Sequence, residues 1–339
     1  MGNNEISRSK NLSIVGASGA VGVEFISVLE KLKFPVNNIK FLASSRSAGK
    51  TVSFQGEEHV IEELTKDSFK GTDIALFSAG SGISKQYEKD VLDAGAVIVD
   101  NSSAFRMRKD VPLIVPEVNP EDAKNHNGII ANPNCSTIIM LMAVYPLHAK
   151  YPVEKIIVST YQAASGAGWE AMEELRISSE HKLQGKKFEP KIMPFDYAFN
   201  TFSHNSNIDE SGYNEEERKM VFETKKILHN SDIGVSATCI RVPVFRAHSE
   251  SIHLVFKDKS PSVEEARKLY TDFPGIDLVD DPQTNHFPMP IESSEKYNCL
   301  VGRIRKDISN PAQAMELFVS GDQLLKGAAL NAVQIAQLL

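Results

Sequence analysis

The sequence predicts an α/β protein in two parts. An N-terminal domain is built on a parallel sheet, and an α+β domain with a mostly antiparallel sheet follows it. Three observations predict this. The chain has 339 residues, enough for two domains of ordinary size. In the first half, short continuous apolar runs alternate with helical periodicity, as in a parallel sheet covered on both faces. Beyond about residue 150 the strands lengthen and alternate apolar with polar, the pattern of antiparallel sheet.

The elements follow in order. Leu12–Val15 is a short apolar strand that runs into Gly16-Ala17-Ser18-Gly19-Ala20-Val21-Gly22. Val21, Phe25, Val28, Leu29 and Leu32 then repeat at helical spacing. Ile39–Ala43, Ile74–Ser78 and Ala96–Asp100 are further strands, with a helical stretch over Ser84–Ala94; Leu113–Val115 and Ile129–Ala131 are shorter apolar candidates. In the second half, Ile156–Tyr161 is a strand and Gly168–Leu183 a helix. Lys186–Tyr213 is irregular, rich in Pro, Asn and Ser, and expected at the surface. Glu215–His229 reads as a charged amphipathic helix, Val235–Arg246, Ser251–Phe256 and Leu300–Arg305 as strands, and Leu324–Leu339 as a closing apolar helix.

Composition excludes several function classes. Hydrophobic residues are 42% and charged residues 24%, which argues against disorder and against a fibrous fold. The formal charge of −7, without basic tracts, argues against a nucleic-acid partner and against a basic membrane-surface patch. Met1 to Lys10 is polar and lacks the apolar core of a secretory signal, and no apolar run reaches the length of a membrane span. Three widely spaced cysteines, Cys135, Cys239 and Cys299, make neither a disulfide framework nor a zinc motif, so no metal site is expected. A reducing cytoplasm is the expected location.

Gly16, Gly19 and Gly22 close a strand and open a helix. Glycines there let backbone approach a pyrophosphate, and the helix start offers free N–H groups and a positive dipole. The first domain is therefore read as Rossmann-type, with Gly16, Ala17, Ser18, Gly19, Ala20 and Val21 against a dinucleotide; a tight turn with no ligand is the plainer alternative. The second strand ends without the acid that would favour NAD. It carries Ser44, Ser45, Arg46 and Ser47 instead. Arg46, with Ser44 and Ser47, suits the 2′-phosphate of NADP; otherwise the stretch is a solvated turn.

Cys135 follows Asn132-Pro133-Asn134 and precedes an apolar run, so it belongs in the first turn of a helix, where the dipole favours the thiolate. Cys239 and Cys299 lie in or beside strands and are read as inert. A thiolate beside a nicotinamide cofactor points to thioester chemistry on an aldehyde or an activated acyl group.

These motifs, in this order, resemble the aspartate-β-semialdehyde dehydrogenase family. GASGAVG (16–22), FLASSRSAGK (41–50), VDNSSAFRM (99–107), NPNCST (132–137), STYQAASGAG (159–168), ETKKIL (223–228), ATCIRVPVFRAHSES (237–251) and LLKGAALNAVQIAQ (324–337) carry the likeness across nearly the whole chain. The match is least clear over 186–213. The resemblance implies that residues 1–134 with 321–339 bind NADP and that 135–320 form the catalytic and dimerisation domain of a homodimer. It implies Cys135 as nucleophile, His248 as acid/base and Gln162 as a substrate-orienting residue. Arg106 with Asn134 would bind phosphate, Glu223 would take the substrate amino group, and Lys226 would join the phosphate site. Ser165 and Gly166 would lie by the nicotinamide, and Asn331 would touch the cofactor. The implied reaction is NADPH-dependent reduction of L-aspartyl-4-phosphate to L-aspartate-4-semialdehyde, serving lysine, methionine and threonine biosynthesis.

The residues themselves add two points. Arg241 shares a strand face with Val235, Ala237 and Cys239, where a charge is out of place unless an anion such as a substrate carboxylate meets it. Glu223 and Lys226, three apart on a helix, are equally compatible with an ordinary surface ion pair. N-acetyl-γ-glutamyl-phosphate reductase and a non-catalytic NADP-binding module are the alternatives; the RVPVFRAHSES and ETKKIL contexts speak against the first, and the presence of Cys135 and His248 against the second.

Overall fold

A computed structural model describes residues 9–339. Residues 1–8, most of the polar start that was read as no secretory signal, lie outside the described residues. The chain divides into two compact units. One runs to Pro133 and takes back Ala328–Leu339; the other is Asn134–Gly327.

The first unit is a parallel six-stranded sheet. Its strands are β1 (Lys10–Val15), β2 (Val36–Ala43), β5 (Glu62–Glu63), β6 (Ile74–Phe77), β7 (Val97–Asp100) and β8 (Ile129–Ala131), in the order β5-β2-β1-β6-β7-β8. A separate hairpin, β3 (Thr51–Phe54) and β4 (Glu57–Val60), sits between β2 and β5 in the chain. Leu12, Ile14 and Val15 are buried without alternation, because helices cover both faces. Helix α1 (Ala20–Lys31) buries Phe25, Val28 and Leu29, spaced three and four apart, and α2 (Ser81–Asp93) follows β6. The stretch expected as a strand at Leu113–Val115 is not one. Only Leu113 bridges Ala131, because Pro112 and Pro116 on its flanks have no N–H to give a ladder.

The second unit opens with α3 (Cys135–His148), apolar all round and buried on every side from Ser136 to Val144. Beyond it lie β9 (Val153–Gln162), α4 (Trp169–Leu183), β10 (Phe202–Ser203), α5 (Glu215–Ile227), β11 (Gly234–Arg241) and β12 (His248–Phe256). Then come α6 (Val263–Asp272), β13 (Ile276–Leu278), α7 (Pro290–Ser293), β14 (Cys299–Lys306) and β15 (Ala314–Gly321). The seven strands run β10-β11-β9-β12-β15-β14-β13. The sheet is mixed. β9 pairs in parallel with β11 and β13 with β14, while the other neighbours are antiparallel.

Three boundaries differ from expectation for identifiable reasons. β11 stops at Arg241, not Arg246, because Pro243 cannot extend the ladder. The segment 186–213 is irregular but not all surface. Met193, Tyr197 and Ala198 bury against Ala171 and Leu175 of α4, and the Glu174 carboxylate accepts the backbone N–H groups of Lys191, Ile192 and Met193. The closing helix begins as a π-turn, Leu325–Ala329, before α8 (Leu330–Ala336). Among the described residues no helix is long and apolar enough to cross a membrane.

Candidate active site

The predicted nucleotide loop lies in the first unit. Gly16 has φ +87°, and a Cβ there would stand 2.4 Å from the Ser78 carbonyl oxygen; one on Gly22 would stand 2.2 Å from the Gly16 oxygen. Only glycine allows this crossing. Gly19 then starts α1 with no side-chain cap. The Ser18 hydroxyl donates to Ser47 at 3.1 Å, tying the loop after β1 to the loop after β2, where Ser44 and Arg46 are exposed. Arg106 is buried and donates from Nη2 to the Asn101 carbonyl at 2.9 Å. Asn331, expected at the cofactor, lies in the closing helix α8. It is wholly buried, and its Nδ2 donates to the Ile114 carbonyl and to Asn132 Oδ1, so it braces the chain near β8.

The second unit holds the thiol. Asn134 caps α3, its Oδ1 accepting from Ser136 N at 3.0 Å and Thr137 N at 3.2 Å, which places Cys135 as the first helical residue and half-buried. Gly327 packs on it so closely that a Cβ there would be 2.9 Å from the Cys135 Cβ. Gln162, at the end of β9, donates from Nε2 to Ser136 Oγ at 2.9 Å and to Glu216 Oε1 at 3.3 Å.

Helix α5 brings two Glu–Lys pairs, two turns apart on one face. Glu223 was expected to meet a substrate amino group. Its Oε2 instead accepts the Asn134 backbone N–H at 2.6 Å, and Lys226 is half-buried. The pair missed in the sequence is Glu216 and Lys219, joined at 3.3 Å. Glu216 Oε1 accepts from Asn134 Nδ2 at 2.8 Å, so this carboxylate touches the cap of the cysteine helix and Gln162 together. Burial alone would raise its pKa. The charges of His204, Lys219 and Arg241 and the Asn134 hydrogen bond outweigh that and hold it at about 2. The same spacing of three occurs in EERK and ETKK, so spacing could have flagged both pairs without choosing between them.

His248 opens β12 and has no exposed surface. Its Nδ1 accepts the Ala163 N–H at 3.0 Å. Burial, and next the Arg241 charge, lower its pKa to about 3, so near neutral pH the ring is uncharged and carries its proton on Nε2. Among the described residues that Nε2 has no hydrogen-bond partner. It faces Gly166, where a Cβ would come within 2.8 Å of Cε1 and Nε2 and 3.1 Å of Arg241 Nη1. The missing side chain at Gly166 thus leaves room beside both the imidazole and the guanidinium. Ala247, with φ +71°, turns the chain into His248, and its N–H is held by Gln323 Oε1 at 2.9 Å while Gln323 Nε2 donates to Ser165 Oγ. Gln323 and Ala247 were not singled out from the sequence; neither has a motif of its own.

Arg241 is 3% exposed. The protein does not meet it with an anion directly. It donates to Asn205 Oδ1 at 3.3 Å, the Ala163 carbonyl at 3.2 Å and His204 Nε2 at 2.9 Å, all uncharged acceptors when His204 is neutral. Cys239 is wholly buried and its pKa is raised, so it stays a thiol. The unit thus carries a helix-start thiol, a neutral imidazole with an available N–H, a fixed carboxylate and a fixed guanidinium.

Comparison with known proteins finds likenesses along nearly the whole chain. Residues 11–126 match the family model "Semialdehyde dehydrogenase, NAD binding domain", and residues 144–326 match "Semialdehyde dehydrogenase, dimerisation domain". Aspartate-semialdehyde dehydrogenase of Synechocystis sp. is 53% identical over 328 residues, covering 97% of this chain and 96% of that protein. The crystal structure of aspartate semialdehyde dehydrogenase II from Vibrio cholerae complexed with ASA superposes with a TM-score of 0.95 at 40% identity, over 98% of each chain. The Candida albicans enzyme, a crystal structure with NADP, superposes with a TM-score of 0.76 at 26% identity, over 98% of each chain.

Proposed function

The chain belongs to the aspartate-semialdehyde dehydrogenase family, and from that premise we propose that it interconverts L-aspartyl-4-phosphate and L-aspartate-4-semialdehyde, with NADP as redox partner. The observation that carries the substrate class is the pair of opposite buried charges, Glu216 and Arg241, in the unit that holds Cys135. A small α-amino acid presents an ammonium and a carboxylate together, and such a pair meets both.

In this reading the Cys135 thiolate attacks the acyl carbon of aspartyl phosphate, and phosphate leaves with the electrons of the acyl C–O bond, giving a thioester. Arg106 and the lysines of α5 favour the departing dianion. The glycine cradle at Gly16 and Gly22 and the side-chain-free start of α1 fit a pyrophosphate, and Arg46 with Ser44 and Ser47 fits a 2′-phosphate. NADPH, when bound, supplies hydride to the acyl carbon. His248 Nε2–H keeps its proton and donates a hydrogen bond to the oxygen that gains charge; that charge re-forms the C=O bond as the C–S bond breaks and the thiolate of Cys135 is restored. Gln162 holds the first turn of α3 through Ser136, and Glu216, rather than Glu223, takes the substrate ammonium.

We further infer a division of labour in which the unit ending at Pro133 and closed by Ala328–Leu339 binds the nucleotide and Asn134–Gly327 performs the acyl chemistry. The match to a dimerisation domain supports a homodimer. Biosynthesis of lysine, methionine and threonine is the matching role, and cytoplasm the matching location. None of the three cysteines is joined in a disulfide, as in a reducing compartment. The test is phosphate-dependent reduction of NADP with L-aspartate semialdehyde, on the wild type and on Cys135→Ser. Turnover by the wild type, lost by at least about a thousandfold in the variant, is expected. Oxidation of N-acetylglutamate semialdehyde in preference to aspartate semialdehyde would overturn the assignment.

A further inference from the structure

The segment 186–213 contributes one residue to the centre of the second unit. His204 follows β10, is half-buried, and puts Nε2 2.9 Å from Arg241 Nη2. An arginine has donors only, so the imidazole accepts there and Nε2 carries no proton. Nδ1 then holds the ring hydrogen and reaches Ser206 Oγ at 3.0 Å. The Ser206 backbone N–H also comes within 3.3 Å of Nδ1, but a neutral ring cannot accept at both nitrogens. The shorter, charge-assisted contact with Arg241 decides the tautomer.

A count of hydrogens on Arg241 gives this contact its meaning. The guanidinium has five N–H groups. Asn205 takes the one on Nε, Ala163 one on Nη1 and His204 one on Nη2. One N–H remains on each terminal nitrogen, enough for two hydrogen bonds to a carboxylate. Without the His204 contact the Nη2 end of the fork would lose its only acceptor among the described residues, and the plane could turn about its remaining two.

We propose that His204 is a positioning residue for substrate recognition: as a neutral acceptor it fixes the plane of Arg241 so that two N–H groups face the α-carboxylate. The inference rests on the reading that Arg241 binds that carboxylate. Burial keeps His204 uncharged, lowering its pKa to about 4. The groups that act on it are Glu216 and Lys219 of α5 and Arg241 of β11, and it acts in turn on His248 of β12.

The experiment compares the holoenzyme with His204→Leu, His204→Gln and Arg241→Ala variants. Substrates are L-aspartate semialdehyde and 3-aminopropanal, which is the same aldehyde without the carboxylate. His204→Leu is expected to raise KM for aspartate semialdehyde about tenfold, leave KM for phosphate and NADP unmoved, and shrink the preference over 3-aminopropanal by the same factor. Glutamine can accept through Oε1, so His204→Gln is expected to restore most of both values. If Arg241→Ala raises KM while His204→Leu does not, the role of His204 is wrong and the role of Arg241 stands. If Arg241→Ala leaves both values unchanged, the carboxylate reading itself fails. A long-range ¹H–¹⁵N spectrum at pH 7, assigned by loss of the signal in His204→Gln, keeps the question decidable if the leucine variant does not fold. An unprotonated Nε2 supports the proposal, and a protonated one overturns it.

Discussion

Two helices begin at sites read as functional, and they are built in opposite ways. Helix α1 starts from glycines: Gly19 caps it with no side chain, and Gly16 and Gly22 clear its approach. Helix α3 starts from side chains: Asn134 occupies two of its N–H groups, and Glu216, Glu223 and Gln162 hold Asn134 and Ser136 in turn. An uncapped start leaves backbone donors for an anion that comes and goes. A capped start fixes the side chain that follows the cap, here the Cys135 that we propose as nucleophile. The lesson is that a nucleotide site needs emptiness where a nucleophile site needs occupancy.

The largest effect should come from filling the empty start. Gly16→Ala puts a Cβ against the Ser78 carbonyl at a left-handed φ and is expected to cost about 3 kcal/mol or more and to abolish NADPH binding. Gly19→Ala, whose Cβ would stand 3.3 Å from the Gly16 oxygen, should be far milder. Urea unfolding and NADPH fluorescence titration measure both, and equal effects would erase the contrast. Emptying the occupied start comes next. Asn134→Ala removes the cap of α3 and the ligand of Glu216; a loss of about 1–2 kcal/mol is expected. It should lower kcat/KM for aspartate semialdehyde more than tenfold, with NADPH affinity kept. Initial-rate kinetics beside calorimetry would show it.

The last effect is on pH. His204 and His248 have folded pKa values of about 4 and 3, below the ordinary 6.5. As pH falls below about 6.5, the unfolded chain binds protons that the native rings refuse, so stability declines toward pH 4. Glu216, held at about 2 against an ordinary 4.5, adds a further loss below about pH 4.5. The decline in urea midpoint between pH 7 and 4.5 should be shallower in His204→Gln. An unchanged slope would mean that His204 titrates at its ordinary value.

Much of the molecule was legible from local pattern. Continuous apolar strands and the glycine loop predict the parallel sheet, and Asn134-Cys135 predicts a thiol at a helix start, because caps, glycines and periodicity act over a few residues. Boundaries failed where proline overruled an apolar run, at Leu113–Val115 and after Arg241. Within the site, Cys135, Gln162, His248 and Arg241 were singled out, and the structure brings Gln162 to Ser136 and His248 and Arg241 to Gly166.

The choice among like residues was not legible. Glu216 and Glu223 share a helix face and a lysine three residues on, and only the packing of α5 on the start of α3 sends one to a side chain and the other to a backbone N–H. His204 lies in a segment with no periodicity, and its neutral, accepting state comes from burial beside Arg241. The sequence by itself determined the two sheets, the glycine loop and the position of the thiol, since those rest on short-range sterics and hydrophobic periodicity. The tertiary structure alone decided which carboxylate meets a side chain and which a backbone N–H, and which histidine nitrogen accepts. Protonation state and hydrogen-bond direction depend on neighbours distant in the chain.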